Sequence, residues 1–206
     1  MSWNLPNALT LVRMVLVPLL VVVLLTEFEG RQILGMPKEL VGATIFGIAS
    51  LTDFLDGYLA RRRKQVTWIG QMMDPIADKL LTSAAFISLV QLGDVDAWMA
   101  ALIIGREIAI TGLRSLAHAR GLTLPASRLG KMKMASQVTA ILLLILGRGP
   151  LPWAAPLGRI ALWIVVAAAG VSAVDYYLRF QRFANARVTD VRIARERRQQ
   201  DRRKAS

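Results

Sequence analysis

An all-α integral membrane fold is predicted, with six transmembrane helices, a short N-terminal interfacial segment and a basic cytoplasmic tail. Three observations predict it. Of 206 residues, 54% are hydrophobic although 26 are Lys or Arg; a soluble chain so rich in basic residues would have its apolar fraction diluted by its surface. The apolar residues fall in long blocks rather than short strands, and a bilayer-spanning helix needs about 20 of them. The charges gather in the connections between those blocks.

The elements follow in chain order. Asn4-Leu5-Pro6-Asn7 reads as a turn or interfacial lead-in, and Met1 to Leu9 lack the basic start of a secretory signal. The candidate spans are Leu9–Leu25, Leu40–Leu59, Ile76–Leu92, Ala97–Ala117, Met134–Gly147 and Leu157–Leu178. Pro18 should kink the first. The fifth is short, so flanking residues must extend it or the lipid beside it must thin. Arg61, Arg62, Arg63 and Lys64 crowd the connection between spans two and three. Arg120, Arg128, Lys131 and Lys133 crowd that between four and five, whereas Asp94 and Asp96 mark the tip between three and four. The positive-inside rule then puts the N-terminus, both basic connections and the tail in the cytoplasm. Trp3, Trp98 and Trp153 fall near span ends, as interfacial anchors do.

The formal charge of +12 is concentrated behind the last span: ten basic and three acidic residues lie between Arg179 and Lys204. Such a tail suits anionic lipid headgroups better than nucleic acid. The expected division is a membrane domain at 1–180 and a basic tail at 181–206. The chain has no cysteine, which removes disulfides and thiolate metal sites from consideration.

Acidic residues stand where a membrane helix should not carry them. Asp53 and Asp56 are three apart in the second span, followed by Gly57, Ala60 and Arg61; Gly70, Asp74 and Asp78 follow at intervals of four. Each set shares one helical face, and the connection between them lets the two faces meet as an antiparallel pair. A carboxylate at membrane depth costs roughly 2.5–3.5 kcal/mol even on the lenient insertion scale. Four together also repel. Divalent cations with oxygen ligands remove both problems and create a clamp for phosphoryl oxygens. Helix caps or partners for the nearby arginines would explain one such aspartate, not four. Gly57 and Gly70 permit close approach of a helix or ligand, and ordinary small-residue packing is the competing explanation for either alone.

Asp53-x-x-Asp56-Gly57-x-x-Ala60-Arg61, eight residues, then Gly70-x-x-x-Asp74-x-x-x-Asp78 matches the signature of the CDP-alcohol phosphatidyltransferase family at all eight positions. The resemblance extends to about Phe180. It implies that Asp53, Asp56, Asp74 and Asp78 hold Mg2+ or Mn2+, two ions, with Asp78 also the general base. It implies CDP-diacylglycerol contacts from Asn7, Thr10, Gly57, Ala60, Arg61, Thr67 and Gly70, a homodimer, and a bacterial inner-membrane location with the active site facing the cytoplasm.

The acceptor is read from the rest of the chain. Arg106, Glu107 and Arg114 stand in the otherwise apolar fourth span, and intramembrane charges are functional by default. Glu107 and Arg114 are seven apart, so they share a face and can pair. Arg106, Arg114, Lys131 and Lys133 are the candidates to bind an anionic acceptor phosphate; snorkelling is the competing explanation for the two lysines and for Lys79. Asn4-Leu5-Pro6-Asn7 with Thr10 and Arg13, Asp74-Pro75-Ile76-Ala77-Asp78-Lys79, Arg106-Glu107-Ile108 and Gly130-Lys131-x-Lys133 resemble the bacterial branch that uses glycerol 3-phosphate. Met134 departs from it. Inositol phosphate or phosphatidylglycerol are the alternative acceptors. His118, at a helix end, is assigned no chemistry. A membrane metal-ion transporter would need acids lining both halves of a path, and a scaffold would need none.

Overall fold

The computed structural model describes the backbone of residues 5–27, 32–33, 35–63, 68–119 and 128–174, and within these the side chains of 11–27, 32–33, 35–52, 79–112 and 134–174. It is mostly helical. Among the described residues six helices run in order: α1 Leu5–Leu25, α2 Lys38–Arg63, α3 Trp68–Gln91, α4 Ala97–Ala119, α5 Arg128–Gly147 and α6 Ala154–Val174. The chain divides into two units, Met1–Ala168 and Ala169–Ser206. In the second, the described residues are 169–174, the final turns of α6, with Val171 and Val174 exposed.

Several boundaries differ from expectation. Leu5–Asn7 are helical and continuous with α1 rather than a separate lead-in. Pro6 is tolerated there because the first turn of a helix has no intrahelical use for its N–H. α1 continues as helix through Pro18. α3 begins eight residues before the apolar block that announced it, so Gly70 and Asp74 are helical. α5 is extended at its basic end to 20 residues and includes Lys131 and Lys133. The fold is also not purely helical. β1 Gln32–Ile33 and β2 Met36–Pro37 pair antiparallel, Gln32 opposite Pro37 and Ile33 opposite Met36. Gly35, with φ at 77°, makes that tight reversal possible.

In the first unit, α1 packs most extensively on α3 and α2, while α2 and α3 touch each other less. The packing is closest where glycine removes a side chain. A Cβ at Gly42 would lie 2.7 Å from Leu24 Cδ2, and one at Gly147 would lie 2.5 Å from the backbone nitrogen of Ala155. The core holds Leu20 and Leu24 of α1, Phe46 and Ala49 of α2, Leu81, Ala85, Phe86 and Leu89 of α3, Ile103 of α4, Ala140, Ile141 and Ile145 of α5, and Leu162 and Val165 of α6. Among the described residues large apolar side chains also face outward, among them Val15, Val22, Ile48, Ile87, Ile108, Ile160 and Trp163. Helices apolar on both faces are those of a protein whose surroundings are lipid. Among the described residues, Ala154–Val174 alone is both long and apolar enough to cross a bilayer unaided.

The few polar groups at one end of this unit join helix ends. The Lys38 ammonium donates to the carbonyls of Leu24 (3.3 Å) and Thr26 (3.0 Å), closing the C-terminus of α1. Gly93, with φ at 81°, ends α3 in a Schellman turn whose 6→1 bond runs from Asp94 N to Leu89 O. Arg148, beyond α5, donates to Leu92 O and to Asp94 Oδ2, both at 2.9 Å. An arginine in an expected outer connection is thereby neutralised by the aspartate that marked the neighbouring tip.

Candidate active site

The placement of the acidic residues follows from the buried stripes of α2 and α3. On α2 the buried positions include Gly42, Phe46 and Ala49. Continued at the same 3–4 spacing, that stripe runs through Asp53, Asp56, Gly57 and Ala60. On α3 the buried positions Leu89, Ala85 and Leu81 continue backwards through Asp78, Asp74 and Gly70. All eight signature positions but Arg61 thus fall on, and Arg61 beside, the faces that form the core elsewhere on the same helices.

The heights also agree. α2 ends at Arg63 and α3 begins at Trp68, so Asp53 and Asp78 each stand ten residues from the connection, and Asp56 and Asp74 seven and six. With a rise of about 1.5 Å per residue, the four carboxylate-bearing positions form two tiers roughly 5 Å apart. Oxygen donors in such a set suit a hard divalent cation, so the backbone arrangement fits the metal that the residue pattern implies. The side chains of all four aspartates, and Thr67 entirely, lie outside the described residues. Among those that are described, no three His, Cys, Asp or Glu side chains gather.

α1 forms a third wall that the antiparallel-pair picture lacked, since it contacts both motif helices more than they contact each other. Asn7 and Thr10 lie in its first turns, as helical positions without described side chains. One turn beyond Thr10 is Arg13, which is buried to 1% exposure. In the sequence it is a single charge in an otherwise apolar run and part of the N-terminal pattern that resembles the glycerol-3-phosphate branch, with no individual role attached to it.

The acceptor candidates are spread over α4 and α5. Arg106 lies on the buried face of α4, in line with Ile103 and Ile110. Its Nη1 donates to Glu107 Oε2 at 2.9 Å. Glu107 is therefore engaged by its chain neighbour; whether Arg114 also reaches it falls outside the described residues. Thr111 Oγ1 donates to Glu107 O at 2.9 Å. Arg114 continues the α4 stripe one turn beyond Ile110. On α5 the stripe Gln137, Ala140 and Leu144 continues backwards to Lys133, whereas Lys131 falls roughly a third of a turn off it.

Comparison with known proteins matches residues 3–174 to the family model described as CDP-alcohol phosphatidyltransferase. A Bacillus subtilis protein named CDP-diacylglycerol–glycerol-3-phosphate 3-phosphatidyltransferase is 42% identical over 181 residues, covering 85% of this chain and 94% of the relative. A Rickettsia bellii protein of the same name is 37% identical over 176 residues, covering 84% and 93%. A Mycobacterium tuberculosis protein named probable phosphatidylglycerophosphate synthase is 41% identical over 180 residues, covering 85% and 81%.

Proposed function

The chain belongs to the CDP-alcohol phosphatidyltransferase family, a family of membrane-bound, divalent-metal-using enzymes, and from that premise we propose that it transfers the phosphatidyl group of CDP-diacylglycerol to glycerol 3-phosphate. The products are phosphatidylglycerophosphate and CMP. The observation that carries the choice of acceptor is the run of relatives bearing that activity in their names, matched across more than four-fifths of this chain.

In this reading all six helices span the inner membrane, with the α2–α3 and α4–α5 connections and the tail on the cytoplasmic side. The exposed apolar side chains of α1 to α6 and the charge asymmetry of the connections support it. The membrane domain ends near residue 180, and the basic remainder rests on anionic headgroups. The enzyme works as a homodimer.

Asp53, Asp56, Asp74 and Asp78 would hold two Mg2+ or Mn2+ ions, which would supply charge neutralisation of the donor diphosphate and make CMP a better leaving group. Asn7, Thr10, Gly57, Ala60, Arg61, Thr67 and Gly70 bind the CDP moiety, the glycines by letting it approach the backbone. Asp78 takes the proton of the acceptor hydroxyl as that oxygen forms its bond to the lipid-side phosphorus. The bond from that phosphorus to the bridging oxygen breaks in line, and CMP departs with the oxygen. Arg114 and Lys133, with Arg106 and Lys131 around them, hold the phosphate of the acceptor. The charge of Arg106 is already offset by Glu107, so its part is to shape the wall more than to supply net charge.

The deciding experiment supplies purified protein in bilayers with CDP-diacylglycerol and each of glycerol 3-phosphate, inositol phosphate and phosphatidylglycerol, and measures CMP and lipid product. Glycerol 3-phosphate should give metal-dependent phosphatidylglycerophosphate, abolished by EDTA. Turnover with another acceptor alone would replace the acceptor assignment, and CMP release indifferent to EDTA would remove the metal.

A further inference from the structure

Among the described residues Arg13 is the most deeply buried charged group, and the mechanism above does not use it. It is 1% exposed, while its neighbours Val12 and Val15 are 50% and 63% exposed. At this level α1 thus turns Val12 and Val15 outward and its only cation inward. Desolvating a guanidinium is costly unless anions meet it, so its inward placement needs a chemical reason.

The register of three helices supplies one. Leu24 of α1 packs on Gly42 of α2, and Leu24 and Leu89 line one small space together with Lys38 and Arg148. Those three positions therefore share a level. Arg13 precedes Leu24 by eleven residues, Asp53 follows Gly42 by eleven, and Asp78 precedes Leu89 by eleven. Eleven residues are about three helical turns, so each step returns to nearly the same face and moves roughly 16 Å along the axis. α1 and α3 run one way and α2 the other, so all three steps go in the same direction. Arg13, Asp53 and Asp78 consequently occupy one level and the mutually facing sides of their helices. Asp53 and Asp78 form the tier farther from the α2–α3 connection. Arg61 stands eight residues beyond Asp53, about 12 Å nearer that connection.

We propose that Arg13 is a further phosphate-binding residue of this site, acting at the end opposite Arg61. The two arginines bracket the carboxylates, Arg61 on the nucleotide side and Arg13 where the phosphorus under attack and the entering acceptor meet. A guanidinium presents five N–H donors in a planar fork that matches two phosphate oxygens. Arg13 is already engaged within the fold, and its remaining donors serve the ligand. The ligand chemistry is a phosphate oxygen, supplied either by the donor's lipid-side phosphate or by the phosphate of glycerol 3-phosphate. This proposal rests on the phosphatidyltransferase reading above.

The test uses full-length enzyme in bilayers with Arg13→Met and Arg13→Lys, both checked for folded yield. It measures kcat, KM for each substrate, and Mn2+ affinity by electron paramagnetic resonance without substrates. Arg13→Met should lower kcat/KM by roughly ten- to a hundred-fold, the worth of a charge-assisted hydrogen bond, with partial recovery in Arg13→Lys and unchanged Mn2+ affinity. A rise in KM for glycerol 3-phosphate alone assigns the phosphate to the acceptor. A fall in kcat or a rise in donor KM assigns it to the donor. Wild-type kinetics for both substrates in Arg13→Met, or in Arg13→Lys should the methionine variant not fold, overturns the proposal. A loss of Mn2+ affinity that matches the loss of turnover also overturns it, since the arginine would then order carboxylates. A wild-type enzyme that makes no phosphatidylglycerophosphate refutes the functional reading instead, and leaves the donor arm measurable as CMP release.

Discussion

Two levels of the same three helices, three turns apart, make opposite use of one geometry. At the first, Leu24, Gly42 and Leu89 meet as apolar surfaces, and Lys38 closes the end of α1 above them. At the second, Arg13, Asp53 and Asp78 bring charge to the same three faces. The first level is dry, close and independent of chemistry; it sets which residues of the second are neighbours. Helices in lipid associate through close packing and small residues rather than through exclusion of water, so a glycine three turns from the reacting atoms helps to determine their alignment. In the proposed site the residues of the charged level are constrained by the ligand as well as by packing.

If that division is right, the two levels should fail differently. The largest effect is expected from Asp78→Asn, which removes the proposed base: kcat should fall by roughly 10²–10⁴-fold, with donor binding and thermal stability largely retained. Stability loss of the same order as in a core variant would make Asp78 structural.

Next are the acceptor cations. Arg114→Ala and Lys133→Ala should each raise KM for glycerol 3-phosphate roughly ten- to a hundred-fold and leave donor KM alone. Lys131→Ala should do less, because its position lies off the buried stripe of α5. Parallel Michaelis constants for both substrates check this, and a larger effect at Lys131 would reverse the assignment.

At the apolar level Gly42→Val should overpack Leu24 and cost about 1–3 kcal/mol, read as a lower midpoint in thermal or detergent unfolding. Activity per folded molecule should fall too, since the register of α1 against α2 shifts. An active site indifferent to Gly42→Val would separate the two levels and break the comparison.

Arg148→Ala removes bonds to Leu92 O and Asp94 Oδ2 from partly exposed groups at the helix ends. The expected cost is about 0.5–1.5 kcal/mol of stability with unchanged kinetics. Smallest of all, truncation after Ala186 should leave turnover in anionic bilayers intact, because the removed residues have no apolar periodicity to bury and their charge suits headgroups. Loss of turnover in such bilayers would give the tail a part in the chemistry.

Some of this was legible before any coordinates. The carboxylates at 3–4 spacing declared themselves because charge at membrane depth is expensive and helical period is strict. The long apolar blocks declared α1, α2, α4 and α6 for the same reason. Helix ends were less legible: α3 starts at Trp68 and α5 at Arg128, where Gly70 and Asp74, or Arg128, Lys131 and Lys133, interrupt the apolar run that marks a span. The β1–β2 reversal was invisible because two residues per strand leave no periodicity to read. Lys38 and Arg148 carry no signal in the sequence, and only the fold shows one capping α1 and the other joining the ends of α3 and α5.

Sequence by itself therefore determined the family, the helical class and the faces on which the aspartates stand, since each depends on spacing along one chain. Which helix confronts each face was decided by tertiary structure alone. Spacing within a helix defines its own stripe but carries no term for the partner. That choice rests on close contacts between distant residues, such as Leu24 against Gly42. They make α1 the third wall, and they turn Arg13 from an isolated cation in an apolar run into a residue level with Asp53 and Asp78.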